Sequence, residues 1–160
     1  MNAIVRGVSL VGGLIRYAEM QAGVIPHALA MSYPYTRGDG YARGPGPGGV
    51  MGIATQANTA NAAKGYVGWG YLPEGARFRL KASVDVASRC GSNRACTVIG
   101  TALQQYGAYV VDTGGWPVLY AEALDGKQVS WAGLLADTDT NAWKAADFEV
   151  LALPALTALP

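Results

Sequence analysis

The most regular alternation of apolar and polar positions lies between residues 76 and 86, where the chain reads ARFRLKASVDV. Apolar side chains occupy every second position in the first part of this segment, with basic residues between them. A repeat of two is typical of a strand that buries one face. The pattern predicts a strand over 76–86 whose other face carries Arg77, Arg79 and Lys81.

A second pattern, TVIGTALQQYG, repeats apolar residues at the three- and four-residue spacing of a helix. It predicts a helix over 97–106 that has Thr97 as its N-cap and ends before Gly107. Tyr106 falls on the apolar stripe of this helix. Its ring is therefore expected in the core, with the hydroxyl group at the edge of the core.

The remaining apolar runs are typical of short strands separated by glycine and proline. AYVVDT and VLYAEA flank GGWP as the two strands of a hairpin, and VIPHALAMSY and DFEVLAL are further strands. Together these elements predict a mainly β fold, an antiparallel β-sandwich or jelly-roll-like domain with one clear helix. The alternative is an α+β fold in which the helix lies on one face of a sheet.

Composition narrows the class of protein. A chain of 160 residues suits a single domain over 1–160, and a hydrophobic fraction of 51% argues against disorder. With a net charge of +1, no nucleic-acid partner is expected. No apolar run reaches the roughly 20 residues that a membrane-spanning helix needs, so no membrane insertion is expected. The charged fraction is 14%, against about 25% in typical domains. This low charged fraction predicts that part of the surface is covered, either in a homo-oligomer or by another protein chain. The alternative is that the sequence is a piece of a longer protein.

Two cysteines, Cys90 and Cys96, flank the turn-prone residues GSNRA. The turn predicts a disulfide between them, and two unrelated free thiols are the alternative. A disulfide implies an oxidising compartment, here extracellular or periplasmic. Two thiols and a distant His27 do not make a zinc set, and the Gly/Pro run at 44–49 lacks the Lys and Ser/Thr of a phosphate-binding loop. The sequence therefore predicts no metal and no cofactor.

Several segments, taken in order, resemble one protein family: SLVGGLIRYAEMQAGVIPHALAM, LPEGARFRLKASVDV, IGTALQQYGAYVVDTGG, LYAEA and DFEVL. The family consists of largely uncharacterised exported bacterial proteins, common in actinobacteria and soil bacteria. The resemblance implies export. It also implies a further β-rich segment upstream, so the chain is expected to be the C-terminal part of a longer fold. No catalytic residues are carried over from the resemblance.

Three residues are candidates for catalysis. His27, in IPHALA, is the only histidine and has a side chain suited to general base catalysis, although a strand histidine bound to backbone is the alternative. Asp112 precedes the glycine pair at 114–115, where capping of the turn is the favoured role and an active-site carboxylate is the alternative. With Glu122 or Asp85 it would supply the carboxyl pair of a glycoside hydrolase or a polysaccharide-lyase-type enzyme.

Aromatic residues between glycines are the candidates for ligand binding. GYVGWGYLPEG contains Tyr66, Trp69 and Tyr71, and Tyr41 lies in the preceding Gly/Pro loop. Exposed rings offer an apolar face with a polar edge, which suits sugar rings and partner proteins alike. Packing that plugs an open end of a sheet is the alternative.

The sequence supports three hypotheses about function. The first is an extracellular binding or structural module that recognises carbohydrate or a neighbouring protein chain, with Arg77 and Arg79 as candidate contacts for an anionic sugar. The second is a carbohydrate-active enzyme that uses His27 or an Asp/Glu pair. The third is a self-assembling subunit of a surface layer or filament, which would explain the low charge.

Overall fold

Helices and strands follow one another along the chain in the computed structural model, which describes residues 4–5, 8–38, 40–42, 59–66, 71–151 and 156–158. The helices are α1 (Tyr17–Ala22), α2 (Thr59–Ala62), α3 (Val86–Cys90) and α4 (Arg94–Gln105). The strands are β1 (Ile4–Val5), β2 (Val8–Ser9), β3 (Leu29–Tyr33), β4 (Gly40–Ala42), β5 (Arg77–Leu80), β6 (Ala108–Thr113), β7 (Val118–Leu119), β8 (Phe148–Val150) and β9 (Leu156–Ala158). Short 3₁₀ helices lie at Val11–Gly13, Asp137–Thr140 and Ala145–Asp147.

Five strands form one mixed sheet in the order β7, β3, β6, β5, β8. The pair β3 and β6 is parallel and runs from Leu29 opposite Ala108 to Tyr33 opposite Thr113, with an irregularity after Met31. The other neighbours in this sheet are antiparallel. Two small antiparallel ribbons, β1 with β2 and β4 with β9, accompany the sheet.

The prediction of a mostly β or α+β fold is confirmed, but the described residues form a mixed sheet and not a closed antiparallel sandwich or jelly roll. The difference lies in the pair β3 and β6, which is parallel, whereas the predicted fold is antiparallel throughout. Antiparallel neighbours can be joined by a hairpin, but parallel neighbours require a crossover connection. The chain between β3 and β6 makes that crossover through β4, α2, β5, α3 and α4. The predicted hairpin is wrong for a related reason, since β3 lies between β6 and β7.

Helix α4 packs against the sheet through its apolar face. Ile99 and Leu103 are buried in one cluster with Leu29 of β3 and Val110 of β6. Leu80, the last residue of β5, is fully buried in the same cluster. The face of β3, β5 and β6 that points toward α4 therefore holds the main core.

The helix begins earlier than its apolar pattern predicts. Asn93 is the N-cap in place of Thr97, because the Asn93 side-chain oxygen accepts the N–H of Cys96 at 2.9 Å. The Thr97 hydroxyl instead donates to the Asn93 carbonyl at 3.1 Å. The predicted stop at Gly107 is confirmed, since this glycine has φ of 74° directly after the C-cap Tyr106.

The strand predicted over 76–86 is shorter in the structure, because β5 ends at Leu80. The N–H of Val84 donates to the carbonyl of Lys81 at 3.0 Å and closes a turn. Asp85 then caps α3 by accepting the N–H of Ser88 at 3.0 Å. These local hydrogen bonds override the alternating pattern after residue 80.

The predicted disulfide between Cys90 and Cys96 is confirmed, with their Cα atoms 5.5 Å apart. Cys90 ends α3 and Cys96 lies in the first turn of α4, so the bond closes the short turn between the two helices. Both cysteines are buried. A disulfide fits an extracellular or periplasmic location.

Removing this bond in a Cys90→Ser/Cys96→Ser double variant is expected to lower the free energy of unfolding by about 2 kcal/mol, because the crosslink restricts the unfolded chain. For a chain of this size the change lowers Tm by about 4–8 °C. Thermal unfolding followed by circular dichroism measures it. Reductant should bring the native protein to the same Tm and leave the double variant unaffected. An unchanged Tm in the double variant would contradict the prediction.

Candidate functional site

Three tyrosine rings contact one another at the protein surface, and we call Tyr35, Tyr66 and Tyr71 the tyrosine cluster. The Tyr66 and Tyr71 ring centroids are 5.1 Å apart with the planes tilted by 33°. Tyr35 meets Tyr66 edge-on, at 5.4 Å and 89°. The rings therefore form an aromatic corner, and 56% of Tyr35 remains exposed to solvent.

Backbone hydrogen bonds bring the segments of this cluster together. The N–H of Arg37 donates to the carbonyl of Leu72, and the N–H of Gly38 donates to the carbonyl of Tyr66, each at 2.8 Å. Gly38 also packs directly against α2, where a Cβ on this residue would lie 2.0 Å from the backbone nitrogen of Ala62, so the contact requires glycine. These two hydrogen bonds therefore join the segment that follows Tyr35 to the segments that contain Tyr66 and Tyr71.

The buried side chain of Asn61 also holds this region in place through hydrogen bonds. Asn61, at the end of α2, is only 2% exposed and donates its side-chain N–H to the carbonyl of Thr36 at 2.8 Å. It also reaches the hydroxyl groups of Thr36 at 2.9 Å and of Thr113 at 3.3 Å. The two threonine hydroxyls contact each other. This network fixes the residue after Tyr35 to the end of β6.

Tyr35 itself has an unusual backbone conformation. Its φ is +63°, the one positive value recorded for a residue other than glycine in the described part of the chain. A side chain in this region costs roughly 1–2 kcal/mol. Strain of this kind at an exposed aromatic residue is a reason to look for a function there.

The structure assembles part of the predicted binding set. Tyr66 and Tyr71 lie together, and Tyr35 joins them. Trp69 lies outside the described residues. Tyr41 is described only as part of the backbone of β4, opposite Thr157, and its side chain lies outside the description.

Arg77 and Arg79 are not part of the tyrosine cluster. Arg77 donates through Nε to the carbonyl of Tyr106 at 2.8 Å, and its guanidinium lies 5.7 Å from the centre of the Tyr109 ring. Burial raises the pKa of the Tyr109 hydroxyl, and the charge of Arg77 opposes that shift. Arg79 pairs with Glu149 at 2.7 Å. Both guanidinium groups are thus engaged within the chain, and their role as sugar contacts stays a prediction.

His27 has an acidic partner that the sequence analysis missed. Its Nε2 lies 3.1 Å from both carboxylate oxygens of Glu19, and its Nδ1 lies 2.9 Å from the carbonyl oxygen of Ala28. Glu19 also accepts the Arg16 guanidinium at 3.2 Å. The pair ties α1 to the start of β3. The sequence gives no signal for this contact, because Glu19 and His27 are eight positions apart and belong to no common helix or strand.

The two carboxylates proposed for catalysis lie in different parts of the chain, Asp112 in β6 and Glu122 outside the helices and strands, and they bind different partners. Asp112 lies within β6 and accepts the N–H of Thr113, the last residue of the same strand, at 2.8 Å, so capping of the following turn stays a prediction. Glu122 accepts the N–H of Tyr17 at 3.2 Å at the start of α1 and contacts the Lys127 ammonium. The hydrogen bond from Lys127 is the main cause that lowers the pKa of Glu122.

None of the recorded hydrogen bonds or ion pairs of His27, Asp112 and Glu122 joins two of them. Their catalytic roles stay predictions. Within the described residues, no group of three or more His, Cys, Asp or Glu side chains lies close enough to hold a metal ion. In the same part of the chain, no helix combines the length and apolar character needed to cross a bilayer.

A groove beside the tyrosine cluster escaped the sequence analysis. It has a volume of about 500 Å³, and its lining includes Tyr33 and Leu72, which neighbour the cluster in sequence, and Trp143. The signal available was a tryptophan beside a lysine in NAWKAAD, a stretch without apolar periodicity. Periodicity finds residues that build elements, and it passes over residues that line a surface between elements.

Comparison of the chain with protein-family models, with curated proteins and with solved structures found no match. The functional conclusion therefore depends on the geometry of the chain itself.

Proposed function

We propose that this protein is an extracellular binding module that recognises carbohydrate through the tyrosine cluster. One observation carries the proposal: three tyrosine rings meet at the surface on backbone that is held by hydrogen bonds from both sides. An aromatic ring offers a flat apolar face for the C–H surface of a sugar ring, and the tyrosine hydroxyl adds a donor and an acceptor. The disulfide between Cys90 and Cys96 supports the location.

The corner shape of the cluster favours a sugar over a flat protein surface. Because Tyr35 stands at 89° to Tyr66, a ligand stacked on one ring meets the edge of the other. A pyranose ring has both an apolar face and a rim of hydroxyl groups, which suits the two contacts. Little reorganisation is needed for binding, since the backbone beneath the rings is already fixed.

Tyr35→Ala is expected to weaken carbohydrate binding by about 2- to 13-fold, which corresponds to one aromatic contact of about 0.5–1.5 kcal/mol. Affinity gel electrophoresis in soluble xylan, laminarin and hydroxyethylcellulose measures the retardation. Trp116→Ala is the matched control, because Trp116 is 78% exposed and is not in the tyrosine cluster. The control variant should be retarded as much as the native protein.

Two outcomes would contradict the proposal. Absence of retardation of the native protein in these polysaccharides would argue against carbohydrate recognition. Light scattering that shows an oligomer which Tyr35→Ala dissociates would assign the cluster to a neighbouring copy of the chain instead.

A further inference from the structure

The groove has the size and lining of a site for a small molecule. Its volume of about 500 Å³ falls within the range of about 300–1,000 Å³ that ligand pockets occupy. Met31 of β3, Phe78 of β5, Leu119 of β7 and Phe148 of β8 contribute apolar walls, and Leu103 of α4 closes one side. The groove therefore crosses the sheet on the face that α4 covers elsewhere.

Polar hydrogen-bond donors are concentrated at one border of this groove. Thr140, Asn141, Trp143 and Lys144 all line it and lie within five consecutive positions. None of these side chains makes a hydrogen bond or ion pair with the described residues. The side chains of this border thus include a hydroxyl, an amide, an indole and an ammonium group.

The indole N–H of Trp143 is a buried donor without an acceptor among the described residues. A buried donor left in this state is unfavourable, and such groups in native proteins call for an explanation. The indole ring is also held in place, because its six-membered part packs against Gly100 of α4, where a Cβ would come within 2.5 Å. An acceptor brought by a ligand would remove this cost once the side chains that cover the indole nitrogen shift to admit it.

The carboxylates near this border are already engaged. Glu149 lines the groove and pairs with Arg79 at 2.7 Å. Asp147 binds the Arg89 guanidinium at 2.9 Å and the backbone N–H of Lys144 at 2.8 Å. The ammonium of Lys144 itself forms no ion pair with the described residues. The groove consequently combines apolar walls with a polar border that carries one ammonium group outside any ion pair of the described residues.

We infer that the groove binds a small amphipathic carboxylate, with its apolar body on the sheet and its carboxylate at residues 140–144. Hydrogen bonds to a carboxylate are stronger than those to a neutral oxygen, so this end selects for the anion. The ligand class differs from the carbohydrate proposed for the tyrosine cluster, and the groove uses other residues. Each proposal can fail without the other.

Isothermal titration with sodium decanoate and with 1-decanol tests the inference. The two probes share a ten-carbon chain and differ in the head group. Decanoate is expected to bind saturably, and 1-decanol at least about 10-fold more weakly, because the charged oxygen gains more from the donors. In ¹⁵N spectra, the indole signal of Trp143, assigned with Trp143→Phe, should move downfield on addition of decanoate.

Lys144→Met is expected to weaken decanoate binding about 10-fold and to leave 1-decanol binding unchanged. Lys64→Met is the matched control, because Lys64 is also exposed and does not line the groove. Equal affinity for the two probes would overturn the head-group assignment. Absence of saturable binding of either probe, or equal weakening by the two lysine variants, would overturn the site.

Discussion

Replacement of Gly107 by alanine is expected to lower the free energy of unfolding by about 3 kcal/mol, the sum of two costs. Gly107 has φ of 74°, a left-handed conformation in which a side chain costs roughly 1–2 kcal/mol. A Cβ at this position would also lie 2.3 Å from the carbonyl oxygen of Phe78. Overpacking of this kind costs about 1–3 kcal/mol, and the atom in the way is backbone of β5.

The damage is expected to reach the centre of the sheet. The carbonyl of Gly107 accepts the N–H of Leu29 at 2.9 Å, where the parallel pair of β3 and β6 begins. A shift of Gly107 away from Phe78 therefore disturbs both the end of α4 and the start of this pairing. This position links α4 to the parallel pair of β3 and β6 inside the sheet.

Gly126→Ala is the matched control for this experiment. Gly126 has φ of 75°, but a Cβ there would meet no atom within 4 Å. The free energy of unfolding of this variant should fall only by the conformational cost of the side chain, about 1 kcal/mol. Urea unfolding of both variants measures the difference. Equal destabilisation would show that the contact with Phe78 relaxes at no cost and would contradict the argument.

Asn61→Ala is expected to lower the free energy of unfolding by about 3 kcal/mol, because it leaves buried acceptors without their donor. The amide of Asn61 donates to the carbonyl and the hydroxyl of Thr36 at 2.8 and 2.9 Å in a site from which water is excluded. Thr36 follows Tyr35, so the variant is also expected to lose carbohydrate retardation. Loss of the anchor frees the backbone beneath the tyrosine cluster.

Thr101→Ala is the corresponding control. Thr101 is exposed on α4 and its hydroxyl donates to the carbonyl of Thr97 at 2.8 Å, within the helix. Its loss should change the free energy of unfolding by less than about 0.5 kcal/mol and leave retardation intact. Urea unfolding and affinity electrophoresis are measured on both variants. A stable Asn61→Ala protein with native retardation would show that the network does not support the cluster.

The same two chain segments carry both proposed sites. Tyr33 and Leu72 line the groove, while Tyr35 and Tyr71 belong to the tyrosine cluster. The hydrogen bond from Arg37 to Leu72 joins these segments. Their positions relative to the sheet therefore set the geometry of both sites.

Local signals in the sequence identified the features that depend on neighbouring residues. The apolar stripe of α4, the stop at Gly107 and the disulfide between Cys90 and Cys96 were all predicted, since the interacting groups lie within a few positions of one another. Aromatic residues between glycines also indicated Tyr66 and Tyr71 as surface residues of interest. The alternating pattern fails to predict the structure beyond Leu80, because the cap at Asp85 is equally local and stabilises a helix start instead of a strand.

Long-range contacts decided the rest. The parallel pairing of β3 with β6, the contact of Tyr35 with Tyr66, and the hydrogen bond between Glu19 and His27 join residues whose separation in sequence has no preferred value. The groove likewise depends on the 140–144 segment lying against strands from distant parts of the chain. The free energy of such contacts comes from burial and packing in the folded state, and that contribution does not exist until the chain has folded.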